Sequence, residues 1–340
     1  MAKAIGRRRV MRAGAAVGAL PLVSLLSPRA EAADFVLRYA NNQPVTHPMN
    51  IEANAMAKRI ADESKGRLKV MIFPNNQLGG DTEMVTEIRS GAIDLYTGSG
   101  LLLQSFVPVA GANGIGYAFK DYDQVWAAMD GGFGAYIRAA IGKAGLIAFE
   151  KIWDNGFRQV TTSTHPIVTP PDYKGVKIRV PVMPLETSLF EHFGAAPTGI
   201  DIKEAYTALE THLADAQENP LALIENWKFY EVQKYCSLTN HMWDGFWMLA
   251  NARNFARLPQ DLQEIATRNI NEAALAERAD VRRLNESLQG KLQSQGLRFN
   301  APDPEPFRDV LRRTGFYAMW RERFGDTVWA LLEKASGKLS

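Results

Sequence analysis

Residues 67–96 read RLKVMIFPNNQLGGDTEMVTEIRSGAIDLY. Residues 67–73 alternate and then run apolar, which predicts a strand. Asp81 is placed to cap a helix through Ser90, with Gly91 just past its end. Residues 92–96 read as a further strand. Strand, helix and strand in succession argue for an α/β fold with a mostly parallel sheet.

The same alternation extends outward. Residues 35–40 predict a first strand. Residues 49–64 have helical spacing at Ile51, Met56, Ile60 and Ala61, and Lys65-Gly66 is a helix stop. A second unit of the same class begins near residue 156. Residues 157–162 and 176–180 predict strands. Residues 201–214 predict a helix, with Asp201 as cap and Glu204 three positions on, a capping-box arrangement. Asn219-Pro220 opens another helix with Pro first. Residues 239–251 suit a strand that returns to the first unit. From 260 to 289 there is no Pro or Gly, and Leu262, Ile265, Ala266, Ile270, Ala273, Ala274 and Leu284 form a helical stripe. Such a helix runs about 45 Å at 1.5 Å per residue. That exceeds one small domain, so it is expected to span both. Glycines at 111–116 and 131–134 read as turns.

The 340 residues correspond to about two domains. Residues 1–32 have the order of a secretory signal: a basic start at Arg7, Arg8, Arg9 and Arg12, an apolar run, then Ala30-Glu31-Ala32 as a cleavage site. The arginines also fit a twin-arginine pattern loosely, so the export route stays open. Removing this segment turns the formal charge of +2 into a small negative one. The expected product is a periplasmic protein, cleaved near Ala32. Residues 33–155 with 245–284 are expected to form lobe I, and 156–244 with 285–340 lobe II.

Hydrophobic residues at 46% and charged ones at 22% argue against disorder. The near-neutral balance gives no reason to expect a nucleic-acid partner. Cys236 is the sole cysteine, which excludes an internal disulfide and a Cys-rich zinc site. No Walker loop, H-E-x-x-H, C-x-x-C or G-x-S-x-G is present. His47, His165, His192, His212 and His241 stand singly, so neither metal nor cofactor is expected. An exported two-unit α/β chain without catalytic machinery points to binding in the cleft between units.

In 176–180, Val176, Ile178 and Val180 share one face, and Lys177 and Arg179 the other. Arg179 sits near the carboxyl end of its strand, where open α/β sheets bind ligands. There it either grips a carboxylate through two parallel hydrogen bonds or pairs with a structural acid. Asn219 follows a helix-to-helix corner at 215–220; it is either an N-cap or an amide that completes a ligand's bonding. Arg158 is either a second cleft cation or a hinge ion pair. Trp153, Trp243, Phe246 and Trp247 flank the crossings between units, and Asp244 stands out inside an apolar run.

Gly175 to Pro181, Glu204 to Leu209, Asp215 to Leu221 and Lys228 to Tyr235 resemble the solute-binding proteins of TRAP transporters, the DctP type. Asn76 to Asp81 and Gly91 to Asp94 resemble that family's N-terminal lobe. The resemblance implies a two-lobed periplasmic binding protein fold, with mixed sheets flanked by helices and a long helix spanning both lobes. It implies closure around a small organic acid and delivery to TRAP membrane permease subunits. It also implies that Arg179 grips the carboxylate, that Asn219 assists, that Arg158 is the second cleft arginine, and that Asn42 and Asp81 supply polar contacts. Ala216, Ser99 and Ile202 depart from the usual glycine, acid and aromatic residue. Trp243, as an aromatic wall, and Asp244, as an acceptor, are expected to compensate. A ligand-sensing binding protein and a secreted α/β enzyme are the rival readings.

Overall fold

The computed structural model describes residues 33–339. The expected signal sequence at 1–32 lies outside the described residues.

The strands are β1 (Phe35–Asn41), β2 (Leu68–Phe73), β3 (Leu95–Ser99), β4 (Leu146–Ala148), β5 (Trp153–Thr162), β6 (Lys177–Val180), β7 (Ala196–Gly199), β8 (Ala216–Asn219), β9 (Tyr235–Asn251) and β10 (Arg298–Asn300). The helices are α1 (Pro48–Glu63), α2 (Asp81–Ser90), α3 (Tyr122–Met129), α4 (Gly132–Lys143), α5 (Pro184–His192), α6 (Ile202–Glu210), α7 (Leu221–Asn226), α8 (Ala252–Phe255), α9 (Gln260–Ser294), α10 (Glu305–Arg313), α11 (Phe316–Phe324) and α12 (Asp326–Ser336).

One mixed sheet runs through the molecule in the order β2-β1-β3-β9-β5-β8-β6-β7, with β4 and β10 also paired to β9. Its flanks are parallel: β2 with β1, β1 with β3, β8 with β6, and β6 with β7. Its middle is antiparallel, because β9 runs against β3 and β5, and β5 runs against β8. The expectation of a mostly parallel sheet therefore holds at the flanks and fails at the centre. There two long strands cross from one flank to the other. The helical crossovers that parallel pairing requires lie at the flanks.

Local chemistry explains most boundaries. Pro48 starts α1 behind His47, whose Nδ1 accepts from Met49 N at 3.1 Å. Asp81 is not the cap of α2 but its first residue. The cap is Gly80, whose N–H donates to Glu83 Oε2 at 2.6 Å. Gly91 closes α2 at φ 86°, a conformation glycine adopts without Cβ strain. Asp201 does cap α6 through Lys203 N at 3.2 Å, and α6 ends at Glu210, short of 214.

Helix α9 has 35 residues, about 52 Å at 1.5 Å per residue. It runs past Gly290 because Leu288 before it and Leu292 after it are both buried. Leu262, Ala266, Ile270, Ala273 and Ala274 pack with Leu37, Met56 and Met248, whereas Leu288 and Leu292 pack with Ile224, Phe229 and Cys236. One helix thus serves two separate cores. Helix α12 packs against α3 and α4. Its Val328, Trp329 and Leu332 join the core that holds Val125 and Met129 of α3. That core also holds Ile178 and Leu189, so it draws on both halves of the chain.

The glycines at 131–134 do not form a simple turn. Gly131 caps α4, and Gly134 lies inside it. A Cβ on Gly134 would overlap the Met129 carbonyl oxygen, which belongs to backbone and has little room to yield. We expect Gly134→Ala to cost about 1–3 kcal/mol, the range for overpacking. Urea unfolding with an unchanged m-value would report it.

Candidate functional site

The carboxyl ends of β1, β3, β6 and β8 converge on one cavity with the middles of β5 and β9. Asn42 follows β1. Asp81 opens α2. Ser99 ends β3, Arg179 sits one residue before the end of β6, and Asn219 ends β8. Asn155 and Arg158 come from β5, and Asp244 from β9. Leu102, Met183, Ile202, Leu223 and Phe246 form apolar walls. Ligands of open α/β sheets bind at such carboxyl ends.

Asn155 and Arg158 share the cavity although they are three residues apart. Strict alternation would send them to opposite faces. The register slips between Asp154 and Gly156, so Asn155 is an extra residue opposite Gly245 and Asp244. Gly156 takes φ 114° there. A second slip follows Arg158. Such bulges re-aim side chains.

Arg179 is 1% exposed. Its Nε and Nη2 donate to the Ile200 carbonyl at 2.9 and 2.6 Å, and its Nη1 has no partner among the described residues. Of the two sequence alternatives, pairing with a structural acid is not found among the described residues: none of their carboxylates lies within ion-pair distance. Burial, with the repulsion of Arg158, lowers its pKa to about 10, still charged at neutral pH.

Arg158 behaves differently. Its Nε donates to Glu218 Oε2 at 2.5 Å and its Nη2 to Glu218 Oε1 at 2.7 Å, a bidentate pair. Its Nη1 donates to Asp244 Oδ2 at 3.2 Å, and Glu186 Oε1 stands 3.4 Å from Nε. Its Nη2 also reaches Asn219 Oδ1 at 3.2 Å. Arg158 lines the cavity, and three acids engage its charge. Burial opposes that charge, and the carboxylates outweigh it, so its pKa rises.

Glu218 feels the converse. Burial would raise it, but Arg158 and the His241 hydrogen bond hold it down to about 2. His241 is pushed below its usual value by burial, against the pull of Glu218. Neutral His241 therefore donates from Nε2 to Glu218 at 3.1 Å. Burial pushes Glu186 and Asp244 up despite Arg158. Asp81 rises to about 7 through burial and the nearby Asp201 carboxylate, with Asn42 opposing.

Two expectations are corrected. Residues 215–220 are not a corner between helices. Residues 216–219 form strand β8, paired to β5 and β6, so Asn219 is no N-cap. Pro220 instead precedes α7 as its cap residue. Trp243 is not a wall of the cavity. It lies on the opposite face of β9 from Asp244 and Phe246. There its Nε1 donates to Asp154 Oδ1 at 2.9 Å and its ring meets Phe119 and Trp126 edge-on. A side chain at Gly245 would overlap the Trp243 ring, which lies along the strand.

The other departures fall in place. Ser99 donates to Asp244 Oδ1 at 2.7 Å, so an acid from β9 stands beside this position. Asn42 Nδ2 donates to Asp81 Oδ2 at 3.2 Å. Sequence reasoning missed Asn155, Glu186, Glu218 and His241. The acids carried no signal, since only their buried partner, Arg158, identifies them. The helix starts of α2 and α6 also meet: Asp81 N donates to Asp201 Oδ2 at 3.2 Å, and Lys203 Nζ stands 3.5 Å from Glu83 Oε2.

A family model described as "Bacterial extracellular solute-binding protein, family 7" (DctP) matches residues 39–316. The 2,3-diketo-L-gulonate-binding periplasmic protein YiaO of Escherichia coli K12 is 30% identical over 276 residues, covering 81% of this chain and 84% of YiaO. The uncharacterized protein y4mM of Sinorhizobium fredii is 33% identical over 262 residues, covering 77% of this chain. The match spans about half, 48%, of y4mM. Among solved structures, the sugar acid binding protein DctPAm of Advenella mimigardefordensis, in complex with galactonate, aligns with a TM-score of 0.85 at 28% identity. That alignment covers 91% of this chain and 100% of DctPAm.

Proposed function

The chain belongs to family 7 of the bacterial extracellular solute-binding proteins, the DctP family, and from that membership we propose that it is the solute-binding subunit of a TRAP transporter for a small organic acid. The ligand carboxylate binds Arg179 in the cavity, and Asn219, Asn42, Asp81 and Asp244 line the rest of it. The buried Nη1 of Arg179, which has no partner among the described residues, carries this reading. A guanidinium fixed on two sides by Ile200 and open on the third is pre-oriented for a carboxylate. The sugar-acid names of YiaO and DctPAm support the ligand class.

The mechanism is closure of two lobes, 33–155 with 245–284 and 156–244 with most of 285–340. Asp81 and Asp201 then lie on opposite lobes, so the bond between them belongs to the closed form. Ligand stabilises that form only through its differential contacts there. The protein acts in the periplasm and delivers its ligand to the TRAP membrane permease.

A thermal-shift screen of the mature chain against C4-dicarboxylates, sugar acids, 2-oxo acids and aromatic acids tests this. Ligand at a hundred times its Kd adds about 2.7 kcal/mol of stability. We expect at least one acid to produce a shift of that order. A folded chain, shown ligand-free by mass spectrometry, that responds to no acid contradicts the proposal.

A further inference from the structure

Among the described residues that line the cavity, three buried polar atoms have no protein partner: Arg179 Nη1, Asp81 Oδ1 and Asn155 Oδ1. The Asn155 amide is oriented by its surroundings. Its Nδ2 donates at 2.9 Å to Asp244 Oδ2, which also accepts from Arg158 Nη1, while Asp244 Oδ1 accepts from Ser99, so both oxygens face donors. These unpartnered atoms are one donor on a cation and two acceptors. The acceptors come from different elements, α2 and β5. The remaining charges are engaged. Arg158 is held by Glu218, Glu186 and Asp244, while Asp244 is held by Ser99, Asn155 and Arg158.

Building on the organic-acid reading of this cavity, we infer that the ligand is a monocarboxylate with at least two hydroxyl groups, and that Asp81 rejects acids with a second carboxylate. The single open cation satisfies one carboxylate. Two hydroxyls donate to Asp81 Oδ1 and Asn155 Oδ1. A second carboxylate meets no second unpaired cation and faces the Asp81 carboxylate, whose charge repels it. Around Asp81 stand Asp201 from α6, Asn42 after β1, Arg179 from β6 and Asp244 from β9. Arg179, already matched to the first carboxylate, is the cation of that set. Asp81 titrates at about 7, so it is an anion at pH 8 and gains a proton towards pH 6. Rejection is therefore strongest at pH 8.

Calorimetric titration of the ligand-free chain tests this with two pairs of acids. Erythronate is set against meso-tartrate, and gluconate against glucarate. Each pair differs only by a terminal hydroxymethyl group or carboxylate. At pH 8, in a pair that binds, the hydroxy monocarboxylate is expected to bind at least tenfold tighter. In Asp81→Asn the gap narrows to under threefold, because the dicarboxylate gains affinity. In the wild-type chain the gap also narrows between pH 8 and pH 6, a readout that needs no variant to fold. Equal affinities within a pair, or a tighter dicarboxylate, overturn the inference. So do a gap that moves with neither Asp81→Asn nor pH, a tighter grip on 4-aminobutyrate than on either hydroxy acid, and binding of other carboxylates while neither pair binds. All of these leave the organic-acid reading standing. Failure of every carboxylate overturns both.

Discussion

Arg179→Ala is expected to abolish most ligand binding, with at least a hundredfold rise in Kd. A hundredfold is about 2.7 kcal/mol. The substitution leaves a carboxylate buried among Leu102, Met183, Ile202 and Phe246 without its charged partner. Losing one side of a buried charged pair costs about 2–5 kcal/mol. The same change should do little to the ligand-free protein. Arg179 makes no ion pair among the described residues, and burial already works against its charge. The pattern expected is therefore lost affinity with nearly unchanged unfolding. Calorimetry and urea unfolding of the same variant measure both. Binding within threefold of wild type, under 1 kcal/mol, would exclude Arg179 as the carboxylate anchor.

Glu218→Ala should show the reverse pattern, with the loss falling on stability. Glu218 holds Arg158 by two hydrogen bonds and accepts a third from His241. All three side chains are buried. Removing Glu218 leaves the Arg158 guanidinium facing Glu186 and Asp244, whose carboxyls burial biases towards their neutral forms. Breaking a buried pair from one side costs about 3–5 kcal/mol. Glu218 also ionises far below its unfolded value, at about 2, so its contribution is present above about pH 4.5 and is lost as the pH falls towards 2. The wild-type chain should therefore lose more stability than Glu218→Ala between pH 5 and pH 2. Urea unfolding across that range measures the difference. Parallel losses would show that Glu218 and Arg158 are not coupled as described.

Much of this was legible in residue order. The alternation at 176–180 and the strand, helix and strand at 67–96 follow hydrophobic period, which the sheet flanks obey. Arg179 was legible as a strand-end arginine, but its spacing left two uses open, and only the three-dimensional surroundings of its guanidinium bear on which one applies. The errors share a cause. Strand β8 is Ala-Gln-Glu-Asn, polar yet buried, because its side chains meet Arg158 and Thr161 instead of water. Hydrophobic period cannot identify a strand whose interior face is polar. The strand at 92–96 lies instead at Leu95–Ser99, since Thr97, Gly98 and Ser99 are small or polar and also buried. The bulge that exposes Asn155 to the cavity depends on register with β9, a partner about ninety positions away. Trp243 was misread because its face is set by that same register.

The most direct measurement is a crystal structure of the mature chain with the tightest-binding acid from the screen. The ligand carboxylate should lie within about 2.7–3.2 Å of Arg179 Nη1, with Nε and Nη2 still on the Ile200 carbonyl. A carboxylate held elsewhere, with Nη1 of Arg179 still unpartnered, would contradict the assignment of this cavity.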